Sequence, residues 1–311
     1  MNGQPVARRE ELKGHLALLT FSALVAGSFS FGGRIANDID PQALTAVRFL
    51  VASVLVVVVA GVTGQINRAA ARAPWRYLVL GGLFGMYFVL MFVGLKTAHP
   101  VSIAAVFTLT PLMAAGFGWW IMRQTTNASM AMALSVGAAG ALWVIFRGDL
   151  DAFLQFRIGV GEFIFFFGCM AHALYIPLVP RLNRGEPVLI FTLGVLIAGF
   201  VVVGATGVTS ILATDWSALS LRVWATLGYL VVFATVASII LVQFASFRLK
   251  AAKVMAYTYL IPSWVILWEI VLDGDVPPAV MLPGVGLTVV ALLLLLREGV
   301  ADQASSVSSN S

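Results

Sequence analysis

The chain reads as long apolar stretches separated by short polar breaks. Ten stretches run about His15–Phe31, Pro41–Thr63, Trp75–Leu95, Pro100–Met122, Ala128–Phe146, Ile158–Pro180, Pro187–Thr209, Val223–Phe247, Lys253–Leu272 and Pro278–Leu296. A helix crosses the ~30 Å hydrocarbon core of a bilayer with roughly 20 apolar residues, and each stretch is close to that length. The period-two alternation of a membrane barrel strand is absent, so the spans are expected as helices. The breaks hold helix-ending residues: Asn37-Asp38, Gly64, Pro74, Pro100, Asn127, Gly148, Gly185-Glu186-Pro187 and Gly274. The longest break, Gly207 to Arg222, has no room for a domain outside the membrane. Arg8–Phe31 has the charge order of a signal peptide but no convincing small-x-small site after it, and is read as the first span.

Composition agrees with this pattern. Of 311 residues, 60% are hydrophobic and 11% charged, and the mean hydropathy is +0.97. Soluble domains carry about 25% charged residues, and a folded chain this size has too few polar groups here to cover its surface in water. A soluble enzyme, a disordered chain and a disulfide scaffold are all excluded. The single cysteine, Cys169, forms no internal disulfide, and the three histidines (His15, His99, His172) have no metal-ligand spacing. No metal and no cofactor is expected.

The net charge of +5 raises nucleic acid as a partner, but topology explains the basic residues better. With a cytoplasmic N-terminus, thirteen lysines and arginines fall inside: Arg8, Arg9, Lys13, Arg68, Arg72, Arg76, Arg123, Arg181, Arg184, Arg248, Lys250, Lys253 and Arg297. Five fall outside: Arg34, Lys96, Arg147, Arg157 and Arg222. This bias places both termini in the cytoplasm, so no nucleic-acid partner is expected.

Ten spans divide into five and five, and an odd number inverts the second half relative to the first. Gly14-His15-Leu16 leads to Ala26, and Gly161-Glu162-Phe163 leads to Ala173 at the same offset. Ala105-Val106-Phe107-Thr108-Leu109-Thr110-Pro111 in the fourth span matches Ala256-Tyr257-Thr258-Tyr259-Leu260-Ile261-Pro262 in the ninth at Ala, Leu and Pro. The expected organisation is a cytoplasmic N-terminus (1–14), a first five-helix repeat (15–147), a second (158–297) and a disordered cytoplasmic tail (298–311). Inverted repeats are a transporter architecture, with interrupted helices at the central site. Pro111 and Pro262 are expected to kink matched helices and free the carbonyls of Phe107 and Thr258. The alternative is a packing kink satisfied by nearby threonines.

These residues resemble the EamA-type family of the drug/metabolite transporter superfamily. The resemblance rests on Gly161-Glu162-Phe163 with Ala173-Leu174-Tyr175 and Arg181-Leu182, on Ala46-Val47-Arg48-Phe49, and on Thr97-Ala98, Ala104-Ala105 and Thr110-Pro111-Leu112. It extends to Gly137-Ala138-Ala139-Gly140 and Pro283-Gly284-Val285-Gly286. It implies an all-α integral-membrane fold of ten helices around a central cavity. It also implies movement of small organic molecules such as amino acids, other metabolites or drugs, often outward, in a bacterial inner membrane. Where the family commonly has Gly-Glu at the ends of the fourth and ninth helices, this chain has Arg123-Gln124 and Asp273-Gly274-Asp275, so no role of that glutamate carries over.

Ionisable residues inside the lipid are functional candidates by default. Arg48 lies roughly 10 Å deep in the second span at 1.5 Å per residue. It faces either a substrate anion or a carboxylate, or it snorkels to the interface. Glu269 in the ninth span has a similar depth, and a pair with Arg48 is geometrically open. Glu162 suits a helix N-terminus. His172, nearer the midplane and one turn from Tyr175, is the candidate for proton relay or substrate bonding, or else a bond between helices. Tyr87, Phe107 and Tyr257, with Thr110, are the deep aromatic and hydroxyl candidates for the substrate pathway. Trp119, Trp143 and Trp264 are also expected to be deep, with packing or lipid contact as their ordinary role. Gly81 and Gly85 mark close helix packing.

The chain has no Walker A sequence, and its 14 acidic residues are dispersed, so it lacks the clustered acids of a membrane enzyme. A secondary or facilitative transporter by alternating access is the leading expectation, with a small-molecule substrate, the bilayer as partner and protons as a candidate coupling ion. A channel or a membrane enzyme is the alternative of a different class.

Overall fold

A computed structural model describes residues 4–64, 73–123, 127–155, 157–246, 248–249, 254, 256–273 and 278–308. Arg68, Arg72, Gln124, Phe247, Lys250, Lys253, Gly274 and Asp275, used in the sequence reading, lie outside the described residues. Among the described residues every regular element is helical. The helices are α1 (Gln4–Ile35), α2 (Pro41–Val62), α3 (Trp75–Leu95), α4 (Pro100–Phe107), α5 (Thr110–Met122), α6 (Ala128–Ile145), α7 (Leu150–Leu154) and α8 (Val160–Leu182). They continue with α9 (Val188–Thr206), α10 (Val208–Ala213), α11 (Leu221–Val231), α12 (Ser238–Ser246), α13 (Ile261–Asp273) and α14 (Leu282–Ser308). Taken as continuous segments, nine are long and apolar enough to cross a membrane among the described residues, and the shorter apolar helix Tyr257–Leu272 occupies the ninth expected stretch.

Local chemistry sets several of these boundaries. Asp40 caps α2 by accepting from the amides of Gln42 and Ala43, and Pro41 follows in the first turn, where its missing N–H costs nothing. Asn127 caps α6 through Met130 N–H, and Asp149 caps α7 through Ala152 N–H. Pro111 does more than kink its span. It sits in the first turn of α5, so the span breaks at Thr108-Leu109 between α4 and α5. Pro262 likewise stands at the start of α13, after a 3₁₀ turn over Tyr257–Leu260. The eighth span is interrupted by a π-helical segment, Val232–Ala237, between α11 and α12. The first helix begins earlier than expected, at Gln4, and α14 continues through Ser308, into the segment expected as a disordered tail.

Helices associate in lipid without a hydrophobic drive between them, so close backbone approach through small residues matters. α3 crosses α8 at Gly94 and Gly161, where a Cβ on either glycine would come within 3 Å of the other's carbonyl oxygen. α6 crosses α14 at Gly140 and Gly284 in the same reciprocal way. Gly81 meets the backbone of Ala198-Gly199 on α9, so this glycine serves packing within the chain. α1 packs on α12 and α13, α2 on α9, and α4 on α6, α8 and α13. Large apolar side chains such as Val62, Leu212 and Leu221 stay exposed on the outer surface, as a lipid-facing helix permits.

Candidate functional site

Where α2, α3, α4 and α8 meet, a half-buried histidine sits among aromatic rings. The His172 ring centroid on α8 lies 4.6 Å from Tyr87, 5.6 Å from Phe107, 6.3 Å from Phe84 and 5.9 Å from Tyr175, the last stacked at 11°. Phe84 also stacks on Tyr175 at 5.2 Å. The positions follow from helix geometry: Phe84, Tyr87 and Phe88 fall on one face of α3 at three- and four-residue spacing, and His172 and Tyr175 share a face of α8. Phe107 arrives from the end of α4, just before the break imposed by Pro111. His172 Nδ1 is buried without a hydrogen-bond partner among the described residues.

Arg48 borders the same aromatic wall. It is fully buried, and its guanidinium sits 3.8 Å over the Phe88 ring, which in turn lies 4.7 Å from Tyr87. Nε and one terminal nitrogen donate to Thr235 Oγ1 at 3.2 and 3.0 Å, while the other terminal nitrogen, Nη1, has no partner. Thr235 lies in the π-helical segment and donates to Leu230 O at 2.8 Å. Burying an ion costs several kcal/mol even after relaxation. A desolvated cation–π contact returns about 2 kcal/mol and a hydrogen bond to a charged group about 1.5–3 kcal/mol. With no carboxylate paired to it and one nitrogen unbonded among the described residues, Arg48 is left under-compensated, which is the condition that favours an incoming anion.

The carboxylate once available to Arg48 goes elsewhere. Glu269 pairs with Arg34 at 3.2 Å, joining the end of α1 to α13, with side chains 18% exposed for Arg34 and 5% for Glu269. The two side chains take different neighbours, so the expected option of an Arg48–Glu269 pair is not what forms. Around this ion pair Trp268 donates to Ala23 O and Trp264 to Ser22 Oγ, pinning α13 to α1.

The remaining sequence candidates divide. Thr110 is buried at the start of α5, beside Pro111. Tyr257 is brought not to His172 but to His15, whose Nδ1 lies 2.9 Å from its hydroxyl, in a second core cluster with Leu18 and Tyr259. Glu162 is buried in the first turn of α8 with its carboxylate folded over Gly159, as a group at a helix N-terminus should be. Trp119 is 57% exposed, in keeping with the lipid contact expected as its ordinary role. Sequence reasoning missed Thr235, Phe84, Phe88 and Arg34. Only Arg34 had a signal: it follows Gly14 by the same twenty residues as Arg181 follows Gly161. Among the described residues no His, Cys, Asp or Glu cluster could hold a metal.

Comparison with known proteins bears on this arrangement. Residues 12–146 match the EamA-like transporter family. The uncharacterized transporter YyaM of Bacillus subtilis (strain 168) is 25% identical over 251 residues, which is 80% of this chain and 82% of that protein. A solved crystal structure superposes with a TM-score of 0.65 at 19% identity, over 92% of this chain and 96% of the other, a likeness of fold alone. With its apolar helices, the family match across the first half and a relative named as a transporter aligned over most of its length, the chain is an all-α integral membrane protein that resembles the EamA-type transporters.

Proposed function

We propose that the protein is a secondary transporter that exports small organic metabolites bearing an anionic group, amino acids being the leading class, from a bacterial cytoplasm. Transport proceeds by alternating access at the Arg48–His172 cluster, between inverted repeats at residues 15–147 and 158–297, with both termini cytoplasmic. One observation carries the assignment: a fully buried guanidinium that has, among the described residues, an unbonded N–H and no carboxylate, walled by the aromatic rings that also enclose a histidine nitrogen without a partner among those residues. The cation takes the anionic group, the rings take the apolar body, and His172 supplies a hydrogen bond or a proton.

Helix pairing supports the repeat. If each helix of the first half is matched to its counterpart five spans later, the contact of α1 with α13 corresponds to that of α8 with α4 and α5. The contact of α3 with α8 corresponds to that of α12 with α1. The pairs α2–α9 and α6–α14 map onto themselves. Two halves built alike can exchange conformations, which opens a site first to one side and then to the other.

The test is flux of a metabolite panel, headed by amino acids, in proteoliposomes with and without a pH gradient. Saturable, substrate-selective flux abolished by Arg48→Ala supports the proposal. Flux untouched by both Arg48→Ala and His172→Phe removes the site. Non-saturating conductance replaces the transporter with a channel.

A further inference from the structure

Away from the central cluster, α5 and α8 part to leave an open apolar cleft of about 510 Å³. Its walls are Met113, Gly116, Phe117 and Trp120 of α5, with Phe166 and Met170 of α8. These positions run along roughly 10 Å of α5 axis. A Cβ placed on Gly116 would meet nothing within 4 Å, so this glycine is a floor of the cleft and not a packing contact. The cleft opens outward on the bundle surface, where an apolar chain, not water, is the neighbour.

Its end is chemically different from its length. Trp119 and Trp120, 57% and 68% exposed, lie in the last turn of α5, a place that suits amphipathic rings at the lipid headgroups. One turn further, Arg123 ends α5 in the left-handed conformation, a place glycine commonly takes. Arg181, near the end of α8, reaches back to donate to Ile121 O at 3.4 Å. Neither arginine pairs with a carboxylate among the described residues. The neighbouring Glu186 is held by Arg76 and Tyr77.

We propose that this cleft is a binding site for an anionic phospholipid, with one acyl chain lying between α5 and α8 and the phosphate group held by Arg123 and Arg181. An apolar slot leading to two uncompensated cations at the headgroup level has the charge and shape order of such a lipid and not of a zwitterionic one. The inference is independent of what the central cluster transports.

Native mass spectrometry of the purified full chain with equal amounts of phosphatidylglycerol and phosphatidylcholine provides the test. One phosphatidylglycerol is retained with roughly thirtyfold preference, the effect of two surface cations. R123Q/R181Q brings the preference near parity, and G116L, which fills the cleft, lowers retention of both lipids. Parity in the unaltered protein overturns the site. In proteoliposomes, phosphatidylglycerol with brominated acyl chains quenches a part of the tryptophan fluorescence that W119F/W120F lacks. Quenching that the double replacement leaves unchanged overturns the placement. A dimer that excludes both lipids from these tryptophans would assign the cleft to a second copy instead, and would equally overturn the proposal.

Discussion

Arg34 and Arg181 follow Gly14 and Gly161 by the same twenty residues, yet among the described residues Arg34 meets a carboxylate, Glu269, while Arg181 meets the backbone carbonyl of Ile121. Counting seven residues on from Pro262 gives Glu269, and the same count from Pro111 gives Gly118. Both arginines tie a helix to the neighbour that begins at a matched proline, but one clasp is ionic and the other a single long hydrogen bond. The α1–α13 junction should therefore be the harder of the two to part.

Glu269→Gln tests that difference. In a Cys169→Ser background, a cysteine replacing the buried Ser102 on α4, which packs against α13, should label faster from the Arg34 side once Glu269 is neutralised. A thermal-unfolding double-mutant cycle with Arg34→Gln should give a coupling of about 1–2 kcal/mol. An unchanged labelling rate would show that the pair fastens nothing.

Thr235→Val removes the acceptor of two Arg48 hydrogen bonds while keeping the shape. The variant should lose about 1–3 kcal/mol of stability in thermal unfolding. Arg48→Lys, which keeps the charge but not the fork, should still fold and lose most flux. Equal flux from Arg48→Lys would mean that charge alone suffices.

Glycine substitutions should separate by contact. Gly140→Ala drives a Cβ against the Gly284 carbonyl and should cost about 1–3 kcal/mol. Gly116→Ala, with nothing within 4 Å, should leave the melting temperature nearly unchanged. Detergent-solubilised melting curves of the two variants decide it.

Acid stability should report Glu186. Hydrogen bonding from the Arg76 guanidinium holds this carboxyl at about 2, below its ordinary value of 4.5. A lowered folded-state pKa contributes stability that is fully present above pH 4.5 and is lost as pH falls from there toward 2. Glu186→Gln should flatten that part of the stability–pH curve. A wild-type curve already flat between pH 4.5 and 2 would contradict it.

Much of this fold was legible because lipid imposes a length and breakers mark the ends. Pro111 and Pro262 marked where both spans depart from a straight helix, though as kinks and not as the new helix starts the structure has, and Asn127 and Gly148 bounded α6 closely. Azimuth was not legible. Arg48 and Glu269 were a geometrically open pair, yet their partners, Thr235 and Arg34, stand 187 and 235 residues away on faces that only packing decides. Tyr87, Phe107 and His172 were each named from the sequence, but nothing in it said that the three rings meet while Tyr257 joins His15.

The π-helical segment at Val232–Ala237 has a consequence for the whole eighth span. A π turn holds one residue more than an α turn, and each residue of an α-helix advances the side-chain direction by about 100°. That surplus residue is a phase shift between α11, which packs on α2, and α12, which packs on α1. Deleting one residue from the segment would shorten the chain trivially but turn α12 by about 100° against α11. Either Thr235 would swing away from Arg48, or Arg248, just past α12, would lose Glu10, which it now holds at 2.9 Å. The two contacts are compatible only at this residue count.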